Sequence, residues 1–313
     1  MTDEFNFYSK TSLKSYNFED KIKYQLEQLE MLDPQTKQHC YNVACIACRI
    51  CEYLKLDADF ITYCTTCAYL HDIGKSQIPV SILRKKNRLT DDEFEIFKTH
   101  TTIGYNICMS DPKLKDYASG PYYHHEALNG TGYPNKLTEQ DIPLEAKIIR
   151  VADEFEALTT KNKYKTHVGI IEVLNLIIDY TKPLDMNILE SLEILANDSK
   201  TGKIDRKIVR ALFKVVIDDI EYEILQKSNY ISYLKEEISR LEQISILHKK
   251  IKNKNFILFR KYIKKKLNSL LRNNENFNTI DYTLNITKEK YSTEKDVINK
   301  LHDEIRKIKQ LTF

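Results

Sequence analysis

The chain has 313 residues, and its 48 Lys and Arg nearly balance its 45 Asp and Glu, giving a net charge of +3 at pH 7. This balance, with 42% hydrophobic residues, argues against a dedicated nucleic-acid binder and against a wholly disordered chain. The best apolar stretch, Val168–Ile178, is interrupted by Glu172 and Asn175, so no membrane span is predicted. The N-terminal sequence lacks the pattern of a signal peptide, and the seven Cys are an odd number. We therefore expect a cytoplasmic protein with free thiols.

Glycine, proline and charge divide the chain into parts. All seven Gly and all seven Pro lie between Pro34 and Gly202, which predicts turn-rich globular structure there and allows long helices on both sides. Residues 221–313 carry 20 Lys and Arg against 12 Asp and Glu, a net +8, which leaves −5 on residues 1–220. We predict an N-terminal helical segment over 1–32, a globular domain over 33–220 and a basic helical extension over 221–313.

Apolar residues recur at helical spacing along the chain. No pair of segments alternates with the period of two that indicates strands, so the predicted fold is all-α. Asp57 is a plausible N-cap, and Thr90 with Glu93 forms the pattern of a capping box. The predicted helices span Phe18–Glu30, His39–Leu56, Asp57–Leu70, Asp91–Met109, 115–127, 144–159, 167–180, 186–197 and 205–227.

The extension begins with about two heptads of a coiled coil. Ile224, Ile231 and Ile238 are spaced by seven, and Leu234 and Leu241 occupy the complementary core positions. This pattern predicts an accessory helical module, separate from any metal site. Such a module would serve self-association as a homodimer or docking of a protein partner.

A basic stretch follows the heptads. Gln243–Asn274 holds ten Lys and Arg and no acid, with Phe256, Phe259 and Tyr262 interleaved. The favoured interpretation is a solvated helical face whose aromatic residues form the apolar seam of that helix. Contact with nucleic acid or with an anionic membrane surface is the alternative.

Five of the eight His form one ordered pattern with two Asp, and this pattern carries the chemistry. Imidazole and carboxylate groups suit borderline divalent metals such as Fe, Mn, Zn or Co. Asp72, beside His71, can bridge two ions with its two oxygens, and seven ligands are too many for one tetrahedral ion. The sequence therefore predicts a two-metal centre. Its candidate residues are His39, His71, Asp72, His100, His124, His125 and Asp153.

Two short segments beside these residues suggest phosphate chemistry. Gly74 permits a close turn after Asp72, and Lys75 offers a positive charge to a phosphate group. The run Asn129–Pro134, with two Gly and one Pro, predicts a rigid loop beside the histidine pair that could form a substrate wall.

Five cysteines have a spacing that also occurs in metal sites. They are Cys45, Cys48 and Cys51, spaced by three, and the pair Cys64 and Cys67. The same spacing describes one buried helix face, where a free thiol packs like a small apolar side chain. We favour packing over a thiolate metal site.

The motifs HDIGK, KTH, HHEALNGTGYP and VADEFEAL, in this order, resemble those of the HD-GYP branch of the HD phosphohydrolase superfamily. The similarity runs over roughly Asp33–Val216. It implies an all-helical HD-type domain over 33–220 that binds Fe or Mn and hydrolyses cyclic di-GMP, with the seven His and Asp as metal ligands. It also implies Asp72 and Lys75 as catalytic residues, Lys75 as a phosphate contact and Tyr133 as part of the substrate wall.

Three positions depart from that family pattern. Gln35 stands where members with a third metal carry Glu, so we expect two ions, Fe or Mn. Asn129 stands where the loop motif usually begins with Asp, which removes one charge. Asn162 stands where the family often has an Arg that holds substrate phosphates, and Lys161 and Lys165 are expected to compensate as point charges.

These features predict a phosphodiesterase that converts cyclic di-GMP to pGpG, GMP or both. Two alternatives stay open. The first is a slow or inactive domain that senses the dinucleotide and acts through its helical tail, which the loss of Arg at Asn162 favours. The second is a phosphohydrolase for another nucleotide, such as 3′,3′-cyclic GMP-AMP.

The first prediction concerns the metal count. Because the Gln35 amide is a poor ligand, anaerobically purified protein should contain about two ions per chain by elemental analysis. Gln35→Glu should raise that number toward about three, since a carboxylate replaces the amide. A clear third ion in the unchanged protein would contradict the prediction.

Overall fold

The structure is a computed structural model that describes residues 34–85, 87–159, 188–252, 254–272, 275 and 279–311. Several predicted features lie outside these residues. They are the 1–32 segment with its helix Phe18–Glu30, the helix over 167–180, and the residues Lys161, Asn162 and Lys165.

Most of the described residues are helical, which confirms the all-α prediction. Within these residues the only extended pairing is an isolated bridge between Asn129 and Thr138. Short 3₁₀ turns cover Ile73–Gln77, Lys115–Tyr117 and Lys254–Phe259. The α-helices are α1 Pro34–Tyr53, α2 Ala58–Leu70, α3 Val80–Leu83, α4 Asp91–Lys98, α5 His100–Ser110, α6 Ser119–Tyr123, α7 Leu144–Thr159, α8 Ile188–Lys200, α9 Arg206–Lys252, α10 Arg260–Leu270 and α11 Ile280–Leu311.

Side-chain caps begin two of the helices as predicted. The Asp57 carboxylate accepts a hydrogen bond from the Phe60 amide at 2.8 Å and caps α2. Thr90 and Glu93 form both bonds of the capping box at the start of α4, with the Thr90 amide donating to Glu93 at 2.7 Å. Each cap satisfies amide groups that have no partner inside their helix.

Three predicted helix boundaries were wrong. The helix predicted over Asp91–Met109 is interrupted at Thr99, where the His100 ring donates to the Phe97 carbonyl and competes with the helical pattern. The helix predicted over 115–127 is instead a 3₁₀ turn followed by the five-residue α6, which ends just before His124. The helix predicted over 205–227 continues to Lys252, since Gly and Pro are absent throughout this stretch.

The packing of the helices brings the ends of several segments together. α1 packs against α2 and α7, and α7 also packs against α6 and α8. α5 packs against α6 and the 3₁₀ turn Ile73–Gln77. As a result, the end of α2, the start of α5 and the end of α6 meet beside α1 and α7.

The cysteines of α1 and α2 belong to the core. Cys45, Cys48, Cys51, Cys64 and Cys67 are buried and free. The potential metal-ligand groups found among the described residues include none of these five. Their burial is what the favoured packing interpretation predicts for them.

By spatial clustering the chain divides into two compact units. One contains residues up to Asp219 together with the chain end from Lys307, and the other is Ile220–Arg306. The unit boundary falls inside the continuous helix α9. The domain limits 1–32, 33–220 and 221–313 stay predictions.

The second unit has its own apolar core, formed by α9, α10 and α11. Leu241 and Ile244 of α9 pack there with Leu267 of α10 and Ile280 of α11. Leu234 is also buried. Two of the heptad residues are therefore covered within the chain itself.

The seam predicted for the basic stretch was wrong for two aromatic residues. The buried face of α10 consists of Ile263 and Leu267, whereas Phe259 and Tyr262 are exposed.

Among the described helices, none is both long enough and apolar enough to cross a bilayer.

Close packing at Gly74 generates the second prediction. A Cβ at Gly74 would lie 1.9 Å from the His100 carbonyl oxygen and 2.5 Å from the Gly104 amide nitrogen, so Ala cannot fit without moving backbone. Gly74→Ala should lower the free energy of unfolding by about 3 kcal/mol in urea denaturation followed by circular dichroism.

Gly202→Ala is the matched control. A Cβ at Gly202 meets nothing within 4 Å, but its φ of +73° strains an L-residue, so we expect a loss of about 1 kcal/mol. Equal losses for the two variants would show that the contact between the Gly74 turn and α5 is loose.

Candidate metal centre

Five separate segments deliver the predicted ligand residues to one place. His39 lies on α1, and His71 and Asp72 follow α2 directly. His100 begins α5, just after the interruption at Thr99. The last three residues are His124 and His125, which follow α6, and Asp153, which lies on α7.

One group of possible ligands consists of His39, His71 and Asp153. The His39 Nε2 atom lies 3.2 Å from His71 Nε2 and 3.1 Å from Asp153 Oδ1. His71 is fully buried, while His39 and Asp153 keep a small exposed fraction. This group therefore has one side open toward solvent.

A second group consists of His100, His124 and His125. The Nε2 atoms of His100 and His124 are 3.3 Å apart. The His125 ring lies against both, with ring centres 5.1 Å from His100 and 4.1 Å from His124. Three imidazoles at this separation can share one cation.

Asp72 lies between the two groups and faces each with a different oxygen. Its Oδ2 atom is 3.5 Å from His39 Nε2 and 3.3 Å from His71 Nε2. Its Oδ1 atom is 3.6 Å from His100 Nε2 and 3.8 Å from His124 Nε2. One carboxylate can thus contact an ion in each group.

Backbone carbonyls fix the orientation of three of these rings. The Nδ1 atom of His71 donates to Ala68 O at 2.7 Å, that of His100 to Phe97 O at 2.7 Å, and that of His124 to Pro121 O at 2.9 Å. A carbonyl only accepts, so each Nδ1 carries a proton. In the neutral ring the Nε2 lone pair then points into the centre, as metal ligation requires.

The donor set fits divalent metal. In their neutral forms His100 and His124 direct two lone pairs at each other across 3.3 Å, an arrangement that repels unless a cation lies between or beside them. The Asp72 Oδ1 atom is buried and accepts no hydrogen bond from the described residues. A buried carboxylate oxygen aimed at imidazole nitrogens is a ligand arrangement for Fe, Mn, Zn or Co.

The two groups differ in their affinity for protons. Burial lowers the pKa of His100 to about 4, and burial with neighbouring imidazoles holds the pKa values of His124 and His125 well below the usual range. Burial also opposes the charged form of His39, but Glu156 and Asp153 outweigh it and raise the pKa of His39 to about 10. The carboxylates beside His39 therefore favour a positive charge at that ring, whereas the second group offers neutral imidazoles.

Lys75 forms an ion pair with Asp72. Its ammonium is buried and donates to Asp72 Oδ2, and it also lies 5.4 Å from the centre of the Phe97 ring. Burial raises the pKa of Asp72, but Lys75 and His71 outweigh it and hold that pKa well below its usual range. Lys75 thus keeps its positive charge and lies beside the candidate ligands. The sequence predicted this residue as a phosphate contact, and that role stays a prediction.

Tyr133 lies against a ligand candidate. Its ring stacks on His125 with centres 4.7 Å apart, and its amide donates to the His125 carbonyl at 3.2 Å. Glu126 holds the loop by accepting from the amides of Asn135 and Leu137 at 2.6 and 2.9 Å. Asn129 accepts from the Thr131 amide and hydroxyl, a role its amide oxygen performs without a negative charge.

Three residues of the site were missed by the sequence reasoning. Glu156 accepts from His39 Nδ1 and from Asn42 at 3.0 Å, so it orients the His39 ring. Arg150 donates to the His125 carbonyl at 3.0 Å. The Cys40 sulfur lies within 4.8 Å of ligand atoms of His71 and Asp72. Helical spacing from Asp153 could have suggested Glu156, but nothing local indicates Cys40.

Histidines and aspartates that converge from separate helices define a metal-dependent helical domain. The chain belongs to the HD domain family, whose model matches residues 23–188. Membership in this family implies divalent-metal binding and confirms the resemblance drawn from the HDIGK and HHEALNGTGYP motifs.

Curated relatives are similar to part of this chain. It is 41% identical over 154 residues to a cyclic di-GMP phosphodiesterase of Thermotoga maritima, covering 47% of this chain and 42% of the relative. It is 36% identical over 139 residues to the cyclic di-GMP phosphodiesterase response regulator RpfG of Xanthomonas campestris, covering 44% and 37%. It is also 34% identical over 139 residues to the 3′3′-cGAMP-specific phosphodiesterase 2 of Vibrio cholerae, covering 44% and 27%. The chain therefore matches less than half the length of each of these relatives.

The third prediction tests Glu156. Glu156→Gln keeps a hydrogen-bond acceptor for His39 but removes the charge, so metal affinity should fall about 10- to 100-fold. Titration with a fluorescent chelator as competitor measures this affinity. Asp59→Asn removes one charge at an exposed position of α2 and should leave the affinity unchanged. Similar losses in both variants would mean that overall charge, and not the orientation of His39, sets the affinity.

Proposed function

We propose that this chain is a phosphodiesterase that hydrolyses a cyclic dinucleotide, with cyclic di-GMP as the preferred substrate and pGpG, GMP or both as products. The observation that carries the proposal is Asp72, whose two oxygens face two adjacent groups of imidazoles. Such a pair of sites suits in-line displacement at phosphorus, where both the attacking and the leaving oxygen need stabilisation.

The names of the relatives support the substrate class. Those of Thermotoga and Xanthomonas are called cyclic di-GMP phosphodiesterases, and that of Vibrio is called a 3′3′-cGAMP-specific phosphodiesterase. All three labels describe a cyclic dinucleotide opened at a phosphodiester bond. The Vibrio relative supports 3′,3′-cyclic GMP-AMP as a second candidate substrate.

We assign two ions, Fe or Mn, to the two groups. His39, His71 and Asp153 would hold one, His100, His124 and His125 the other, and Asp72 would contact both. When bound, such ions lower the pKa of water and withdraw charge from the phosphoryl oxygens. Neutral imidazoles in the second group keep their lone pairs available for this role near neutral pH.

The side chains around the ligands have separate tasks in this proposal. Lys75, positively charged and buried beside Asp72, places its charge against a phosphoryl oxygen of the substrate and stabilises the charge that develops there. Tyr133 orients His125 through their stacked rings and forms part of the substrate wall. Lys161 and Lys165 are proposed as further phosphate contacts in place of the family arginine.

Two further assignments belong to the proposal. The protein would act in the cytoplasm, where cyclic dinucleotides serve as signals. A partner at the C-terminal helices, either a second copy or another protein, stays a prediction. Leu234 and Leu241 of the heptads are already buried in the single chain.

The fourth prediction separates catalysis from sensing. Anaerobically purified protein supplied with Fe²⁺ or Mn²⁺ should convert cyclic di-GMP to linear product faster than 3′,3′-cyclic GMP-AMP or cyclic di-AMP, as followed by chromatography. Micromolar binding of cyclic di-GMP without turnover would instead support the sensing module. Faster turnover of 3′,3′-cyclic GMP-AMP would reassign the substrate.

Two variants of the centre belong to the same experiment. Asp72→Ala removes the shared carboxylate, so it should lose at least one ion and slow turnover by about 1000-fold or more. Lys75→Ala should keep both ions and slow turnover by about 100-fold. Asp92→Asn, at an exposed position of α4, is the control. An Asp72→Ala protein with both ions and full activity would refute the ligand assignment.

A further inference from the structure

An exposed patch in the second unit combines apolar and basic side chains. We define it as the residues from Ile257 to Lys266 that lie on the surface of the 3₁₀ turn and α10. Leu258 is 93% exposed, Tyr262 67%, Phe259 61% and Ile257 57%. Four large apolar residues at such exposure within six positions are unusual for a surface that meets only water.

The opposite side of α10 is used for packing. Ile263 and Leu267 are buried and fix the helix to its own unit, where Leu267 joins the core with Leu241 and Ile280. The exposed apolar residues therefore have no place in that core. Tyr262 follows Leu258 by four positions and Phe259 by three, so the three lie toward one side of the helical turn.

The patch is also strongly basic. No acidic residue occurs from Gln243 to Asn274. The acids that face this stretch from neighbouring segments include Asp281 of α11, near Lys249 and Lys252, and Glu237 of α9, which pairs with Arg272. The exposed lysines of the patch are Lys261, Lys264, Lys265 and Lys266, and the preceding end of α9 exposes Lys249, Lys250 and Lys252.

We propose that this patch docks the protein on the surface of a membrane rich in anionic lipid. The apolar side chains would enter the boundary between headgroups and acyl chains, and the lysines would contact lipid phosphates. This mode of binding needs no spanning helix. It is independent of the function proposed for the metal centre.

Two other occupants fit the patch less well. Nucleic acid would use the lysines and could stack on Phe259 and Tyr262, but the aliphatic Ile257 and Leu258 offer no stacking surface and would stay exposed. A second copy that used the same face would bring the two lysine clusters against each other, and this like-charge contact is unfavourable.

The test is co-sedimentation of the full chain with sucrose-loaded vesicles. We expect binding to vesicles of phosphatidylcholine with 30% phosphatidylglycerol and at least about tenfold weaker binding to phosphatidylcholine alone. The double variant Leu258→Ser/Phe259→Ser keeps every charge and should bind anionic vesicles about tenfold more weakly. Leu225→Ser, at another exposed apolar position of the same unit, is its control.

Charge is tested separately. Vesicle binding should be abolished by the triple variant Lys264→Glu/Lys265→Glu/Lys266→Glu. The control is Lys235→Glu/Lys290→Glu/Lys295→Glu, which makes the same change in net charge at exposed positions and should retain most of the binding. Circular dichroism establishes that each variant is folded. The proposal would be overturned if both triple variants lost vesicle binding equally, or if the double variant bound vesicles fully. It would also be overturned if the protein bound a single-stranded oligonucleotide but no vesicles.

Discussion

The Asp72 carboxylate is the group on which the arrangement of the metal centre depends. Its Oδ2 atom faces His39 and His71, and its Oδ1 atom faces His100 and His124. Asp72 lies where three helix ends meet, and the turn that follows it passes very close to α5. Because Gly74 has no side chain, this turn can lie directly on the backbone of α5. The close turn at Gly74 therefore accompanies a buried carboxylate that lies between two sets of imidazoles.

Irregular backbone orients three of the candidate ligands. His71, His100 and His124 each donate from Nδ1 to a carbonyl three residues earlier, at the end of α2, at the interruption between α4 and α5, and at the end of α6. Carbonyls in the last turn of a helix lack the regular amide partner of the next turn and can accept these ring bonds, although the Ala68 and Phe97 carbonyls also accept from a capping amide. The carbonyls at these helix ends thus fix the tautomers of the three candidate ligand rings. Glu156 performs this task for His39, which lies within a helix where no carbonyl is free.

Much of the centre could be predicted from sequence because its chemistry is carried by residue type and order. Six of the seven predicted ligand residues form the two groups of possible metal ligands, and the seventh, Asp72, lies between these groups. The predicted helix over 144–159 and the predicted caps at Asp57 and Thr90 were also correct. The errors have a common cause. Local apolar spacing continues through Thr99 and across 115–127. The His100 ring bonds to the Phe97 carbonyl where the first helix breaks, and the second stretch folds as a 3₁₀ turn and the short helix α6. Spacing also could not show which side of α10 the unit would bury.

By itself the sequence determined the candidate metal-binding residue types, the helical class and the division of charge, because these follow from composition, order and period. Only the tertiary structure decided that Asp72 faces both imidazole groups, that Lys75 pairs with it, and that Glu156 and Arg150 hold His39 and His125. It also decided that Ile263 and Leu267 face the core while Leu258 and Tyr262 face solvent. These outcomes depend on contacts between segments far apart in the chain, and a local pattern carries no information about the partner that a side chain meets after folding.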